Sequence, residues 1–191
     1  MNSRKILRAS LALCTTSLLF ASGVQVASAT GQTDTQGEKV AARVVTYDSS
    51  GAAEFKDAVT QGAEAWNVSV KNVQLKPVQS GQRANIIVVA DNGWPRAQPT
   101  SLGNGRVWMG RQAVNEGHNT IRIASHELGH ILGLPDVKPG PCTSLMSGAS
   151  AGTSCTNRYP NAQEKSSVER KFAGSQLSAR ITASNVALTA Y

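Results

Sequence analysis

The sequence has few charged residues and no long apolar run. Charged residues make up 16% of its 191 residues and hydrophobic residues 40%. This composition excludes the highly charged, apolar-poor class of disordered chains and predicts a folded core. No apolar stretch reaches the roughly 20 residues that a transmembrane helix needs, which argues against an integral membrane protein. The length leaves little room for a second domain and no repeat is visible, so we expect one domain.

The first 29 residues have the pattern of a secretory signal peptide. Arg4, Lys5 and Arg8 form a basic start, an apolar stretch follows over residues 11–20, and small residues precede a cleavage point after Ala29. We therefore expect the protein to be secreted, and to have no membrane association once the signal peptide is removed.

The net charge of +7 belongs largely to that signal segment. Its three basic residues leave 16 Lys and Arg against 12 Asp and Glu in the remaining chain. After cleavage, Arg170 and Lys171 form the only adjacent basic pair, so no basic stripe is available to follow a phosphate backbone. We expect no binding of nucleic acid.

Cysteine is scarce. Cys14 lies in the signal segment, so only Cys142 and Cys155 remain in the mature chain. An even pair in an oxidising compartment is expected to form a disulfide. Two free thiols or a metal-binding pair are the alternatives, although no further Cys or nearby His completes a zinc site.

Hydrophobic periodicity predicts strands and helices around one sheet. The predicted strands cover residues 43–47, 72–78, 84–90 and 106–110, and the predicted helices cover 51–67, 120–132 and 161–173. The segment 91–105 contains two Asn-Gly pairs and two prolines, and we expect it to be a loop. This order of elements predicts an α/β or α+β fold.

Histidine is also scarce, yet two of the three histidines lie four residues apart, in the string His126-Glu127-Leu128-Gly129-His130. Residues at this spacing project from one face of a helix, so both imidazoles can bind one ion, and the geometry suits tetrahedral zinc. Glu127 lies about 100° around the helix from His126. Its carboxylate can therefore flank the metal and act as a general base on a water molecule.

Gly133 and Asp136 extend this motif. Glycine can adopt the left-handed conformation that ends a helix and turns the chain, which would bring Asp136 back toward the ion. Asp136 is therefore the candidate third ligand, with the fourth position open to water as in catalytic zinc sites. Two alternatives stay open: a third ligand from Glu164 or Glu169 in the last helix, and an ordinary helix that binds no metal.

The string HELGHILGLPD over residues 126–136 resembles the extended zinc signature of metzincin endopeptidases, with Asp in place of the usual third His. That variant is similar to the snapalysin family of small secreted neutral proteases, and the similarity covers about residues 42–173. It implies a single metzincin-like domain with a twisted, mostly parallel sheet of four to five strands. A backing helix, an active-site helix and a C-terminal helix would pack around this sheet.

The resemblance also implies specific roles for individual side chains. These are the zinc ligands His126, His130 and Asp136, the general base Glu127, the methionine of the turn below the metal, Met146, and the disulfide pair Cys142 and Cys155.

Two positions depart from the family pattern. The family typically has Tyr two residues after the ligand Asp, whereas this chain has Lys138, which could stabilise an oxyanion or point to solvent. At the family's calcium site, Asp and Thr are replaced by Asn119 and Ile121. Because a carboxylate and a hydroxyl are lost, we do not expect tight calcium binding.

The sequence thus predicts a signal peptide at 1–29, a short prosegment or loose N-terminus at 30–41, a zinc metalloprotease domain at 42–173 and a tail at 174–191. We expect a monomeric endopeptidase that acts on proteins or peptides through a metal-bound water activated by Glu127. The alternatives are a secreted zinc-containing binding or inhibitory module without turnover, and a different metal-dependent hydrolase such as a small amidase.

Overall fold

Five strands form one mixed sheet. The computed structural model describes residues 41–174. The strands are β1 (Arg43–Gly51), β2 (Val73–Pro77), β3 (Ile86–Asp91), β4 (Arg96–Ser101) and β5 (Asn104–Gly110). Their order in the sheet is β2-β1-β3-β5-β4; β4 runs antiparallel to β5, and all other neighbours run parallel. The expected α/β fold with a mostly parallel sheet is confirmed.

The helices include the three that the sequence predicts. They are α1 (Lys56–Asn67), α2 (Arg111–Asn115), α3 (Thr120–Ile131) and α4, described over residues 162–174; short 3-10 helices span Ala53–Phe55 and Leu145–Ala151. The prediction lacked the five-residue α2. No helix within residues 41–174 has the length and apolar character needed to cross a bilayer. The expected signal peptide, and nearly all of the expected prosegment and tail, lie outside the described residues, so these boundaries stay predictions.

One predicted loop is wrong, because residues 96–101 form strand β4. This strand is polar and largely exposed, so it shows no apolar alternation from which its structure could be recognised. Strand β4 is stabilised by its pairing with β5. In this pair Arg96 lies opposite Trp108, and the guanidinium carbon of Arg96 lies 4.5 Å from the centre of the indole ring. Antiparallel pairing across a short turn uses backbone groups, and those are present whatever the side chains are.

Helices α1 and α3 pack against each other with very little space between their backbones. A Cβ atom added to Gly62 of α1 would lie 2.8 Å from the backbone nitrogen of Ser125 and 3.0 Å from the carbonyl carbon of Ala124. Nearby, the indole Nε1–H of Trp66 donates to the backbone oxygen of Ser125 at 2.8 Å. Because a buried aromatic and a glycine both lock α1 to α3, the position of α3 relative to the core is well determined.

Replacement of Gly62 by Ala is therefore expected to lower the free energy of unfolding by about 2 kcal/mol. The new methyl group meets backbone that has no rotamer to change, and this overpacking outweighs the better helix propensity of alanine. Equilibrium denaturation in urea measures the change. Thr60→Ala, on the exposed side of the same helix, is the control and should change stability by less than about 0.5 kcal/mol. A Gly62→Ala protein as stable as the wild type would contradict this account of the helix contact.

Candidate metal centre

Helix α3 places His126 and His130 one turn apart. The helix begins after Asn119, whose side-chain oxygen accepts a hydrogen bond from the backbone N–H of Arg122 at 2.9 Å and so caps the first turn. The two imidazoles lie edge to face, with Nε2 of His126 3.1 Å from Nε2 of His130. The helical spacing therefore brings the two nitrogens to one point in space.

A left-handed turn at Gly133 brings Asp136 back to this point. Gly133 has φ of +90°, and the next residue donates its backbone N–H to the oxygen of Gly129 at 3.0 Å. The chain then reverses, and Oδ1 of Asp136 lies 3.2 Å from Nε2 of His126 and 3.4 Å from Nε2 of His130. The turn at Gly133 thus brings Asp136 next to the two imidazoles, as the glycine predicts.

The hydrogen bonds of the two Nδ1 atoms determine the tautomer and the orientation of each imidazole. Nδ1 of His126 lies 3.0 Å from the backbone oxygen of Leu145, and Nδ1 of His130 lies 2.8 Å from that of Leu134. A carbonyl oxygen can only accept, so each neutral ring carries its proton on Nδ1 and has a lone pair on Nε2. Two lone pairs and a carboxylate oxygen then converge, an arrangement that repels itself unless a cation lies among them.

The dimensions of this triangle fit zinc. For a tetrahedral ion with bonds of 2.0 to 2.2 Å, ligand atoms lie roughly 3.3 to 3.6 Å apart. The three observed separations are 3.1, 3.2 and 3.4 Å, so the ligand atoms are at most about 0.2 Å closer together than this geometry requires. Among residues 41–174, these three side chains form a cluster of metal-binding type. Two imidazoles and one carboxylate are also a donor set that zinc accepts in catalytic sites.

Glu127 lies beside the triangle without joining it. The residue is 4% exposed, and its Oε2 is a buried oxygen with no hydrogen-bond partner. Burial raises the pKa of Glu127 to about 8, and the negative charge of Asp136 adds to the shift. Burial also lowers the pKa of His126 to about 4, which favours the neutral ring that metal binding requires. A buried carboxyl group with an unused oxygen and a raised pKa is typical of a proton-transfer group.

Lys138 lines the cleft and forms a hydrogen bond with Asp136. Its Nζ donates to Oδ2 of Asp136 at 3.0 Å, and both side chains are partly exposed. Asp136 thus offers one oxygen to the imidazoles and the other to an ammonium group. Desolvation raises the pKa of Asp136, but the hydrogen bond and the positive charge of Lys138 lower it, and the pKa of this carboxyl lies below its ordinary value.

The segment below the triangle contains Met146, which is fully buried in the 3-10 helix Leu145–Ala151. Its sulfur lies directly under the helix, since a Cβ added at Gly129 would come within 2.8 Å of it. The expected disulfide is present between Cys142 and Cys155, with a Cα–Cα distance of 5.5 Å. It joins the two ends of the irregular segment that contains this 3-10 helix.

The alternative third ligands are occupied elsewhere. The carboxylate of Glu164 is buried and accepts hydrogen bonds from the backbone N–H groups of Leu145 and Met146. The carboxylate of Glu169 accepts from the backbone N–H groups of Lys71 and Asn72, on the far side of α4. Neither belongs to the metal-binding cluster.

A cleft of about 440 Å³ opens in front of the triangle. One wall comes from β4 and the residues before it, which include Trp94 and Arg96, and His118 lines another part. The ring of His118 contacts that of Trp94 edge to face at 5.8 Å, so this histidine belongs to the wall. Sequence reasoning did not place β4 at the cleft, because a polar edge strand has no periodic signal.

Comparison with known proteins places this chain among proteases. Residues 42–175 match the model of the Streptomyces extracellular neutral proteinase family. An extracellular small neutral protease of Streptomyces caespitosus is 43% identical over 131 residues, which are 68% of this chain and 96% of that protein. Proteins of the same description from Streptomyces coelicolor and Streptomyces sp. (strain C5) are 40% and 38% identical, over 68% and 71% of this chain and 59% of each of those proteins.

Proposed function

This chain belongs to the Streptomyces extracellular neutral proteinase family and is a secreted protease, and we propose that it cleaves internal peptide bonds as a zinc endopeptidase. In this proposal, zinc is held by His126, His130 and Asp136, and Glu127 is the general base. The resemblance to the snapalysin family and the expectation of a secreted peptide-bond hydrolase are confirmed by this membership. Its substrates are proteins or peptides, as the class of enzyme implies.

The observation that carries the proposal is the convergence of two imidazole lone pairs and one carboxylate oxygen within 3.4 Å of one another. Each imidazole is oriented by a backbone carbonyl behind it, which fixes the ring and its tautomer before any ion arrives. This arrangement does not stabilise the fold, because it brings three atoms with partial negative charge, two Nε2 and one Oδ1, close together. It supports a metal site.

The mechanism assigns proton transfer to Glu127. When bound, zinc supplies Lewis-acid polarisation of the scissile carbonyl and lowers the pKa of a water molecule. Glu127 accepts the proton of the attacking water through its unpartnered Oε2, and then donates this proton to the nitrogen of the leaving amine. Because Oε2 forms no hydrogen bond within the protein, it is available both to take the proton from water and to return it.

We assign Lys138 to the orientation of Asp136. Its bond to Oδ2 keeps that oxygen turned away from the imidazoles and leaves Oδ1 facing them.

Strand β4 borders the cleft and is an edge strand, and an extended peptide can pair with the free backbone groups of such an edge. We therefore propose that substrates lie extended along β4.

Removal of metal is expected to abolish hydrolysis of casein by the purified protein, and about one equivalent of zinc is expected to restore it. Without the cation, the protein loses the Lewis acid that would polarise the scissile carbonyl and activate the water. Dialysis against a chelator, followed by zinc titration with casein as substrate, measures this. Calcium added alone serves as the control and should restore nothing, because hard cations prefer sites with more oxygen ligands.

Two outcomes would contradict the proposal. Full activity in the chelated protein would exclude a role for metal. Tight binding of zinc without turnover of casein or peptides would instead favour a binding module.

A further inference from the structure

One buried acid takes no part in the chemistry proposed above. Glu164 lies in the first turn of α4 and is 5% exposed. Its Oε1 accepts from the hydroxyl of Ser144 at 2.7 Å and from the backbone N–H of Met146 at 2.9 Å. Its Oε2 accepts from the backbone N–H groups of Leu145 at 3.2 Å and Asn161 at 2.7 Å. One carboxylate thus gathers four donors, three of them in the segment below the metal triangle.

The same residues of this segment face the ligands with their carbonyl groups. The backbone oxygen of Leu145 accepts from Nδ1–H of His126 at 3.0 Å. The backbone oxygen of Met146 accepts from the backbone N–H of Val137 at 2.8 Å, and Val137 directly follows Asp136. Residues 145 and 146 therefore donate to Glu164 and accept from the two parts of the chain that hold His126 and Asp136.

A buried arginine grips the segment from the opposite side. Arg122, one turn before His126 in α3, donates to the backbone oxygen of Ser144 at 2.8 Å and to the hydroxyl of Ser147 at 2.9 Å. The guanidinium of Arg122 donates to carbonyl and hydroxyl oxygens of the segment, whereas the carboxylate of Glu164 accepts from its N–H groups and from one hydroxyl. Because donors and acceptors of one short segment are saturated by opposite charges on two helices, its backbone has little freedom to rotate.

We propose that Glu164 is a positioning residue of the metal centre. It fixes the peptide unit between Leu145 and Met146, whose carbonyl group orients His126, and through the N–H group of Met146 it holds the residue whose own carbonyl group binds the chain next to Asp136. This inference rests on the proposed zinc site. It extends that site to α4, whose role in the protein is then to hold the metal ligands in place through the segment at Leu145 and Met146. Loss of a group hydrogen-bonded directly to a metal ligand typically changes metal affinity by about 10- to 100-fold. Glu164 lies one hydrogen bond further from the ligands, so we expect an effect at the lower end of this range, about 10-fold.

The carboxylate form is required by the hydrogen-bond count. A carboxylate accepts at both oxygens, whereas the amide of glutamine accepts at one and presents an N–H group at the other. In Glu164→Gln, the amide N–H group must face the backbone N–H of Leu145 or that of Met146, whichever way it is turned. A backbone N–H cannot accept, so at least one bond to the segment is lost in either orientation. Residues 145 and 146 then gain freedom, and the imidazole of His126 and the position of Asp136 become less well determined.

The chain offers a matched control in Glu169, one and a half turns further along α4. This carboxylate also accepts two backbone N–H groups, from Lys71 at 2.6 Å and from Asn72 at 2.9 Å, but it ties α4 to the segment between α1 and β2, which contains no metal ligand. Glu169→Gln therefore removes a comparable anchor of α4 without touching the segment at Leu145.

The test compares the zinc dissociation constants of the wild type, Glu164→Gln and Glu169→Gln, measured by competition with a chromophoric chelator. Glu164→Gln should bind zinc about 10-fold more weakly, and Glu169→Gln within about twofold of the wild type. The visible spectrum of the cobalt-substituted proteins gives a second readout, which should change only in Glu164→Gln. Equal zinc affinities and equal cobalt spectra in the two variants would overturn the inference.

Ser144→Ala keeps the test decisive if Glu164→Gln does not fold. It removes only the hydroxyl that donates to Oε1 of Glu164, and it should weaken zinc binding by roughly two- to fivefold; an unchanged affinity would count against the inference. Failure of the inference is distinguishable from failure of the proposed function. A wild-type protein that binds no zinc would refute the metal site itself, whereas zinc binding that does not depend on Glu164 would refute only the positioning role.

Discussion

Glu127→Gln is expected to lower kcat for peptide hydrolysis by about 10²- to 10⁴-fold, which is the range that general acid–base groups contribute. Glutamine has nearly the same shape as glutamate but cannot take a proton from water. Because Oε2 of Glu127 has no hydrogen-bond partner, the change breaks no contact of the folded protein at that atom. The loss should therefore appear in kcat rather than in KM, and steady-state kinetics on a peptide substrate measures both.

Zinc binding separates a catalytic role of Glu127 from a structural one. Glu127→Gln should keep one zinc ion per chain, because the carboxylate lies outside the ligand triangle. Glu116→Gln, in which the exchanged carboxylate lies at the surface beside Gln112, is the matched control and should keep kcat within about twofold. If Glu127→Gln turned over substrate at a rate close to the wild type, another group would have to be the base.

Asp136→Asn is expected to weaken zinc binding by at least about 100-fold. An amide oxygen carries no charge and is a much poorer zinc ligand than a carboxylate, and the loss of a direct ligand should exceed that of an outer hydrogen-bond partner. At a zinc concentration well above both dissociation constants, the stabilisation by zinc should be at least about 2.7 kcal/mol smaller. Thermal unfolding with and without zinc measures this difference.

The metal-free Asp136→Asn protein should unfold with nearly the stability of the metal-free wild type. The carboxylate is 44% exposed, and its ion pair with Lys138 is partly exposed as well, so we expect a change below about 1 kcal/mol. Asp48→Asn, which exchanges a carboxylate that hydrogen-bonds only locally to Ser50, serves as control and should leave zinc binding unchanged. Zinc affinity undiminished in Asp136→Asn would remove Asp136 from the ligand set.

The fold was predictable where local pattern and burial agree. Helix α1 places Val59, Ala63 and Trp66 on one face, and all three are buried as the spacing predicts. Strand β3 is apolar at successive positions and lies in the middle of the sheet. Strand β4 was missed because it is an exposed edge, stabilised by the backbone of β5 rather than by an apolar face.

Much of the candidate site was predictable because its geometry is local. The spacing of His126 and His130 places both imidazoles together once a helix forms, and Gly133 needs only a positive φ to return Asp136 to them. Eleven consecutive residues, 126–136, therefore contain the whole triangle and its proton acceptor. The site roles assigned to these residues remain proposals that the experiments above test.

Other features depend on which distant segments meet, and no local pattern encodes such meetings. The sequence did not predict the hydrogen bond between Lys138 and Asp136, which follows from the path of the chain beyond the turn. Glu164 was considered as a ligand, yet packing of α4 directs its carboxylate to the amides at Leu145 and Met146. Helical spacing repeats every few residues and can be read along the chain, whereas a hydrogen bond that spans some twenty residues exists only after the core has brought its partners together.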